Sequence, residues 1–504
     1  MNKLVKLIMP FAIGFIVFLL YFVINPVGLS FNTWLFLSIF VGVVIGLILE
    51  PIPPAFVSLI GVTIAAVLKV GPAKSGDMAA KITDGQAINW ALSGFSNSTI
   101  WLIFAAFSIG LGYQQSGLGR RIALALVKLL GKKTLGLGYA IALTDGILSP
   151  FIPSNTARSG GVVYPIVSTI PPMYDCAPDK DPRKIGAYLM YVSLAITCVT
   201  SSLFLTGLAP NLLAIETAAK AGVPKIEWIQ WFIAIAPCGI LLFILTPILV
   251  YWLYPPTVKG SPEVVDWAKS EYTKLGSIKT KEIAMLGISI LALLMWIFPD
   301  LSVISTKLGK INGTTVALIA VCLMLAFKVF TWNDFLSNKA AWGVLVWFST
   351  LVTMADGLKN VGFLSWLSEQ MQVYLTGLSP TAALIGLVIA FYLLHYFFAS
   401  TTAHVSALLA LFIVIAQAIP GIDVYIATVL MMLTLGIMGI ITPYGTGPSP
   451  VYFGAGYIKG PDFWRLGAIF GLFYLVVFLV IEIPWVTTIA KDWITPAVKA
   501  VGAG

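Results

Sequence analysis

Charge is scarce in this chain. Asp, Glu, Lys and Arg make up 10% of its 504 residues, and the hydrophobic set makes up 59%. An ordinary soluble domain carries about 25% charged residues. A chain so poor in charge cannot cover its own surface in water, which excludes a soluble globular protein. Histidine is almost missing: there are 2, His395 and His404. No HExxH segment and no paired intramembrane Asp motif occurs, so the nucleophile–base or metal–ligand sets that hydrolysis requires are not available, and the chain is expected not to be an enzyme. The 4 cysteines form no CxxC and no disulfide framework. Acidic residues number 21 against 30 basic ones, for a net charge of +9. The basic residues sit in short loops between apolar runs rather than on one face of a module. That pattern excludes a nucleic-acid partner and fits the positive-inside bias of a membrane protein.

What the chain does have is long apolar runs. A helix needs about 20 apolar residues to cross a bilayer. On that ruler the expected spans lie near 7–25, 33–49, 53–69, 97–114, 187–214, 230–254, 283–298, 313–330, 342–358, 425–445 and 467–489. Two stretches, 136–170 and 380–416, are about twice too long for one span, and small polar residues interrupt each near its middle. Each is expected to be a re-entrant hairpin, two half-helices entering and leaving on one side. The fold class expected is therefore an all-α polytopic membrane protein, with about 11 transmembrane helices and two re-entrant hairpins. With a cytoplasmic N-terminus, most lysines and arginines fall inside (Lys3, Arg120, Arg121, Lys132, Lys133, Arg183, Lys184, Lys279) and fewer outside (Lys220, Lys225, Lys310, Lys359). The Met-Asn-Lys-Leu-Val-Lys start runs into an apolar stretch with no small-residue cleavage site, and reads as a retained first span rather than a signal peptide.

The chain also repeats itself. Ser154-Asn155-Thr156-Ala157-Arg158 answers Ser400-Thr401-Thr402-Ala403-His404 at a shift of 246 residues, and Gln115-Ser116-Gly117-Leu118 answers Asn360-Val361-Gly362-Phe363. After each hairpin comes a span interrupted by turn residues: Thr206-Gly207-Leu208-Ala209-Pro210-Asn211 in the first case, Thr442-Pro443-Tyr444-Gly445-Thr446-Gly447-Pro448 in the second. An odd number of crossings per half sets the halves in opposite orientation, an inverted-topology repeat of the kind found in many secondary transporters. The expected divisions are an N-terminal helix at 1–30, a first repeat at 31–260 and a second at 261–504.

Irregular backbone inside a membrane is tolerated only where protein buries it or it lines a wet cavity. Four such places occur here, two hairpin tips and two interrupted spans. If they meet, several half-helix N-termini, each equivalent to roughly half a positive charge, point at one place near the midplane. Hydroxyl and amide groups add neutral hydrogen bonds. Such a site suits a small anion with two carboxylates, one for each half. The candidate substrate-binding residues are Ser154, Asn155, Thr156, Thr206, Gly207, Pro210, Asn211, Ser400, Thr401, Thr402, Thr442, Pro443 and Gly445. Ser96-Asn97-Ser98-Thr99, by contrast, reads as a helix N-cap.

Arg158 and His404 are repeat mates, each four residues after its motif's Ser. A basic residue at this depth is a functional candidate, and both are expected to compensate the charge of a bound dianion. An empty site would then drag uncompensated positive charge through the apolar interior, so the carrier would exchange one dicarboxylate for another. His395 is expected to pack in its hairpin or to hydrogen-bond backbone. Asp145 is expected to pair with Arg158 or to cap a half-helix. Asp356 and Glu482 are expected at the membrane interface.

At Ser154-Asn155-Thr156, Thr206-Gly207, Pro210-Asn211, Ser400-Thr401-Thr402 and Thr442-Pro443-Tyr444-Gly445 the chain resembles the divalent anion/sodium symporter family. Asn97–Ile103 and Tyr452–Tyr457 are closer to its exchanger branch, which includes bacterial citrate/succinate antiporters and the plastid 2-oxoglutarate/malate translocator. The resemblance implies a homodimer in membrane lipid, a fixed scaffold and a mobile transport part in each protomer, and elevator-like movement of the site. Family members coupled to sodium carry Ser-Asn-Thr in both hairpins. Thr401 stands here in place of Asn, so neither sodium nor any other metal or cofactor is expected to be required. The function expected is exchange of dicarboxylates of the 2-oxoglutarate, malate, succinate and fumarate class across a bacterial plasma membrane. Sodium-coupled dicarboxylate or citrate symport is the alternative.

Overall fold

The computed structural model describes residues 3–24, 26–72, 82–299, 309–375, 377 and 379–494. Among them no strand occurs. Two isolated bridges, Lys133 with Gly260 and Ala177 with Lys180, tie loops. Nine helices among the described residues are long and apolar enough to cross a membrane, and Pro54–Val67, Thr134–Leu148, Gly313–Ala326 and Val424–Ile440 are shorter apolar helices. The expected spans coincide with helices, but length and composition sort them differently. Pro380–Phe397 and Thr401–Ala418, the two arms of the second overlong stretch, each reach 18 residues. At 1.5 Å per residue such an arm covers about 27 Å, close to a hydrocarbon core.

Burial separates the helices into two kinds. Lys3–Ile24 leaves Phe11, Phe15, Phe22 and Val23 exposed, the outward apolar face of a helix whose solvent is lipid. Gly186–Leu203 is buried at every residue and carries Ser193, Thr197, Thr200, Ser201 and Ser202. A helix wrapped entirely in protein can hold hydroxyls that a lipid-facing helix could not.

One succession of elements occurs twice. Helix Ser98–Ser116 ends at Gly117, and Lys339–Asn360 ends just before Gly362. The two glycines have φ of +80° and +81°, the left-handed conformation that closes a helix C-terminus. Each is followed by an amphipathic helix, Leu118–Leu130 or Phe363–Leu375. Then comes an arm, Thr134–Leu148 or Pro380–Leu394, a bend at 149–155 or 395–400, and a return arm that begins at Thr156 or Thr401. Both return arms pass through π-helical winding, over Thr156–Val163 and Val405–Leu409. A broken helix pair closes each unit: Gly186–Leu203 with Ala209–Lys220, and Val424–Leu433 with Ser449–Gly454.

The 20-residue ruler passed over Leu118–Leu130, Phe363–Leu375 and the charged helix Pro262–Lys274. Glu482 also departs from expectation. Its helix continues in π winding to Ile489, so this carboxyl is fully buried rather than interfacial. Asp356 is half-buried and pairs with Lys220 at 3.0 Å.

Candidate functional site

The first bend is held from behind by Arg158. Its Nη1 donates to the carbonyls of Ile152 and Gly207, both at 2.7 Å, and so ties the bend to the first break. Its Nε meets Asp145 Oδ2 at 3.1 Å, with both side chains fully buried. Its Nη2 reaches Thr197 and Thr200 at 3.3 Å and Ser201 at 3.1 Å, all on the buried helix Gly186–Leu203. Thr200 also donates to Asp145. Of the two roles open to Asp145, the structure selects pairing with Arg158.

Arg158, expected to compensate the charge of a bound dianion, is in this geometry already paired. The guanidinium is neutralised by Asp145 and its donors are directed at carbonyls and hydroxyls of its own half. His404, for which the same role is expected, sits differently. Its ring lies among Phe391, Phe398 and His395 at centroid distances of 4.4, 5.1 and 5.1 Å, and neither nitrogen has a hydrogen-bond partner.

The other predicted residues divide by what their polar atoms do. Thr206 Oγ1 donates to the Pro150 carbonyl at 2.6 Å and accepts from Trp228 Nε1 at 3.0 Å. Pro210 sits in the first turn of Ala209–Lys220, where its missing N–H costs nothing. Asn211 Nδ2 gathers the carbonyls of Ser201, Phe204 and Leu205 at 2.8, 3.3 and 3.4 Å. Asn211 shapes the first break itself, and Thr206 ties it to the first bend and to Trp228. Ser154 and Ser400 are half-buried and Thr156 is exposed, so the two bends do present hydroxyls. Pro443 and Thr402 are buried. Thr401 and Thr442 are buried too, and their hydroxyls have no partner.

The halves meet at the second break. Asn155 Nδ2 donates to Thr446 Oγ1 at 2.7 Å, joining positions 291 residues apart. Gly447 lies directly on Thr156, where an added Cβ would collide with Thr156 Oγ1. Ser159 Oγ and Tyr452 Oη lie 2.7 Å apart. Ser202 Oγ, from the first break, accepts the amides of Gly436 and Ile437 at 3.0 Å each. Gly436 permits that approach, since a Cβ there would run into the Ser202 backbone. The second bend joins through His395, whose Nε2 meets the Gly445 carbonyl at 2.6 Å, and its return arm packs on Ala209–Lys220. The two bends are thus bridged through the two breaks. Asn97 caps its helix as expected, accepting from the amides of Thr99 and Ile100. Its amide nitrogen also donates to Glu216 at 2.6 Å.

Two cavities border elements of the first half, one at Thr206 of the first break and one at Gly161 and Val162 of the first return arm. One of about 410 Å³ is lined by Thr99, Thr206, Lys225, Trp228, Lys310 and Asn312 among others. The other, of about 540 Å³, is lined by Gly161, Val162, Tyr113, Gln114 and Arg120 among others. Neither is lined by Asn155 or Thr401. Thr446, Ser202 and Tyr452 are structural partners that the sequence reading missed. Thr446 lay within the turn-rich second break and Tyr452 within the segment that resembles the exchanger branch, so both could have been found there; Ser202 left no signal beyond polarity in an apolar run.

Many apolar helices, two broken pairs and polar bends bridged inside the protein define a multi-pass membrane protein, and the comparisons place it among transporters. Residues 1–491 match the family described as the sodium:sulfate symporter transmembrane region. The chain belongs to that family, the divalent anion/sodium symporters. It is 44% identical over 469 residues to the L-tartrate/succinate antiporter of Escherichia coli (strain K12), covering 92% of this chain and 94% of that one. The protein so named from Shigella dysenteriae serotype 1 (strain Sd197) is similar to the same extent, at 44% over 469 residues. Among solved structures, the Alcanivorax borkumensis YdaH transporter superposes with a TM-score of 0.58 at 13% identity, covering 90% of this chain and 98% of that one. Neisseria gonorrhoeae MtrF gives 0.56 at 13% identity, with 88% and 97% covered. At that identity these two speak for the fold alone.

Proposed function

We propose that the chain exchanges dicarboxylates, of the succinate, tartrate, malate, fumarate and 2-oxoglutarate class, across a bacterial plasma membrane. The observation that carries this reading is the 44% identity to proteins named L-tartrate/succinate antiporters over 92% of the chain. The junction of bends and breaks supports it. Ser154, Thr156 and Ser400 offer hydroxyls there, and return arms begin at both bends. Positive character then comes from half-helix N-termini, since Arg158 is paired. Each bend is a re-entrant tip whose arms enter and leave on one face, the two units are inverted, and the N-terminus is cytoplasmic. The bundle carrying the bends moves, elevator fashion, against the remaining helices within a homodimer.

The test is counterflow in liposomes. Labelled succinate should enter vesicles preloaded with succinate or tartrate far faster than empty ones, without a sodium gradient. Sodium-driven uptake into empty vesicles would overturn exchange in favour of symport. That second reading gains weight from the paired state of Arg158, which removes the fixed positive charge that would otherwise stand in for sodium.

A further inference from the structure

Arg158 and His404 occupy matching sequence positions, yet the residue that does Arg158's work in the second half is His395. Arg158 ties the first bend to the first break through the Gly207 carbonyl at 2.7 Å. His395 ties the second bend to the second break through the Gly445 carbonyl at 2.6 Å. A carbonyl only accepts, so Nε2 carries the hydrogen. The imidazole is fully buried, and the edge-on ring of His404, 5.1 Å away, packs against it. The anchored carbonyl lies one residue before Thr446, which accepts from Asn155, and two before Gly447, which rests on Thr156. On the other side, Gly445 N donates to the Thr442 carbonyl at 3.3 Å.

We propose that His395 is a positioning residue for dicarboxylate exchange: by holding the Gly445 carbonyl it fixes the register at which the second break meets the first bend, and so sets the affinity of the site. This rests on the exchange function proposed above. The bond lies within the junction rather than at either mouth, so its loss should weaken substrate binding equally from both faces.

The experiment measures succinate counterflow by the full-length chain in liposomes, from each face. Wild-type protein without counterflow would sink the exchange reading and take this proposal with it. Given wild-type counterflow, His395→Leu should raise the half-saturating succinate concentration about tenfold on both faces, the effect of a buried acceptor left without its donor. The maximal rate per folded carrier should change less than about threefold. A merely structural lesion would lower the yield of folded carrier and leave half-saturation alone. His395→Gln, whose amide still donates, should restore half-saturation to within about threefold of wild type. The proposal is overturned if His395→Leu keeps wild-type half-saturation, or if His395→Gln is as impaired as His395→Leu. Should His395→Leu not fold, His395→Gln decides alone: near-wild-type affinity supports the role and a loss of about tenfold rejects it.

Discussion

Replacing Arg158 with Met should damage the fold before it damages substrate binding. Both members of the Arg158–Asp145 pair are fully buried. Breaking a buried pair by removing one partner costs about 3–5 kcal/mol, because the other charge is left uncompensated. The Ile152 and Gly207 carbonyls also lose their Nη1 donor, at about 1–3 kcal/mol each when a buried acceptor goes unmet. The total, about 5–11 kcal/mol, rivals the whole stability of a typical fold, about 5–15 kcal/mol. Arg158→Met should therefore give little monodisperse protein in detergent. Asp145→Asn keeps both carbonyl bonds and loses only the charge term, so it should be the milder change. The decisive case is the double variant Asp145→Asn/Arg158→Met. It leaves no charge unpaired and should melt at a higher temperature than Arg158→Met alone, although it carries one lesion more. Size-exclusion profiles and thermal unfolding in detergent make the comparison. An Arg158→Met protein with wild-type melting and weakened succinate affinity would refute this reasoning and return the guanidinium to the substrate.

Three further outcomes are expected. Gly447→Ala should cut counterflow more than tenfold, because its Cβ collides with Thr156 Oγ1, and adding Thr156→Ala should restore part of it; no recovery in the double variant would disprove the contact. Thr401→Val with Thr442→Val should raise leak of succinate into empty vesicles relative to exchange, since two buried hydroxyls without partners are removed; an unchanged ratio counts against them. Glu271, in the helix Pro262–Lys274, is held below the usual carboxylate value of 4.5 by its hydrogen bond to Lys274, with Arg120 adding to the effect. Its folded value lies below its unfolded one, so the stabilisation is present above about pH 4.5 and is lost as pH falls through the lowered value. Melting temperature should therefore fall more between pH 7 and pH 4 in wild type than in Glu271→Gln.

The sequence disclosed most about positions whose chemistry conflicts with their surroundings. Ser154-Asn155-Thr156 and Thr442–Pro448 stood out because polar, helix-breaking residues are costly in hydrocarbon, and the structure brings them together through Asn155 and Thr446. Gly117 and Gly362 stood out as repeat mates, and both take the left-handed turn. What escaped was whatever depends on partners distant in the chain. Matching register suggested that Arg158 and His404 share a role. Register left two roles open to Asp145, 13 residues before Arg158, and two to His395; only the fold shows that Asp145 pairs with Arg158 and that His395 bonds the Gly445 carbonyl while aromatic rings surround His404. The amphipathic helices Leu118–Leu130 and Phe363–Leu375 were overlooked for a different reason: a ruler for spans ignores the 3.6-residue period by which amphipathic helices declare themselves.

On the proposed exchange reading, with Arg158 paired, another physical reason is needed for the site to cross loaded rather than empty. The unpartnered groups supply it. Thr401 Oγ1, Thr442 Oγ1 and both nitrogens of His404 are buried without hydrogen bonds. Each buried group left unsatisfied costs about 1–3 kcal/mol. In an open cleft water can meet them, but a closed and empty site would have to carry them dry. Two carboxylates provide enough acceptors for both hydroxyls and an imidazole N–H. Three such groups amount to about 3–9 kcal/mol, and every 1.36 kcal/mol on a barrier is a factor of about ten in rate. Neutral donors alone could thus slow the empty carrier by about two to seven orders of magnitude. Exchange on this basis stores no fixed charge, and it locates the coupling in hydroxyls of the second half rather than in the basic residue of the first.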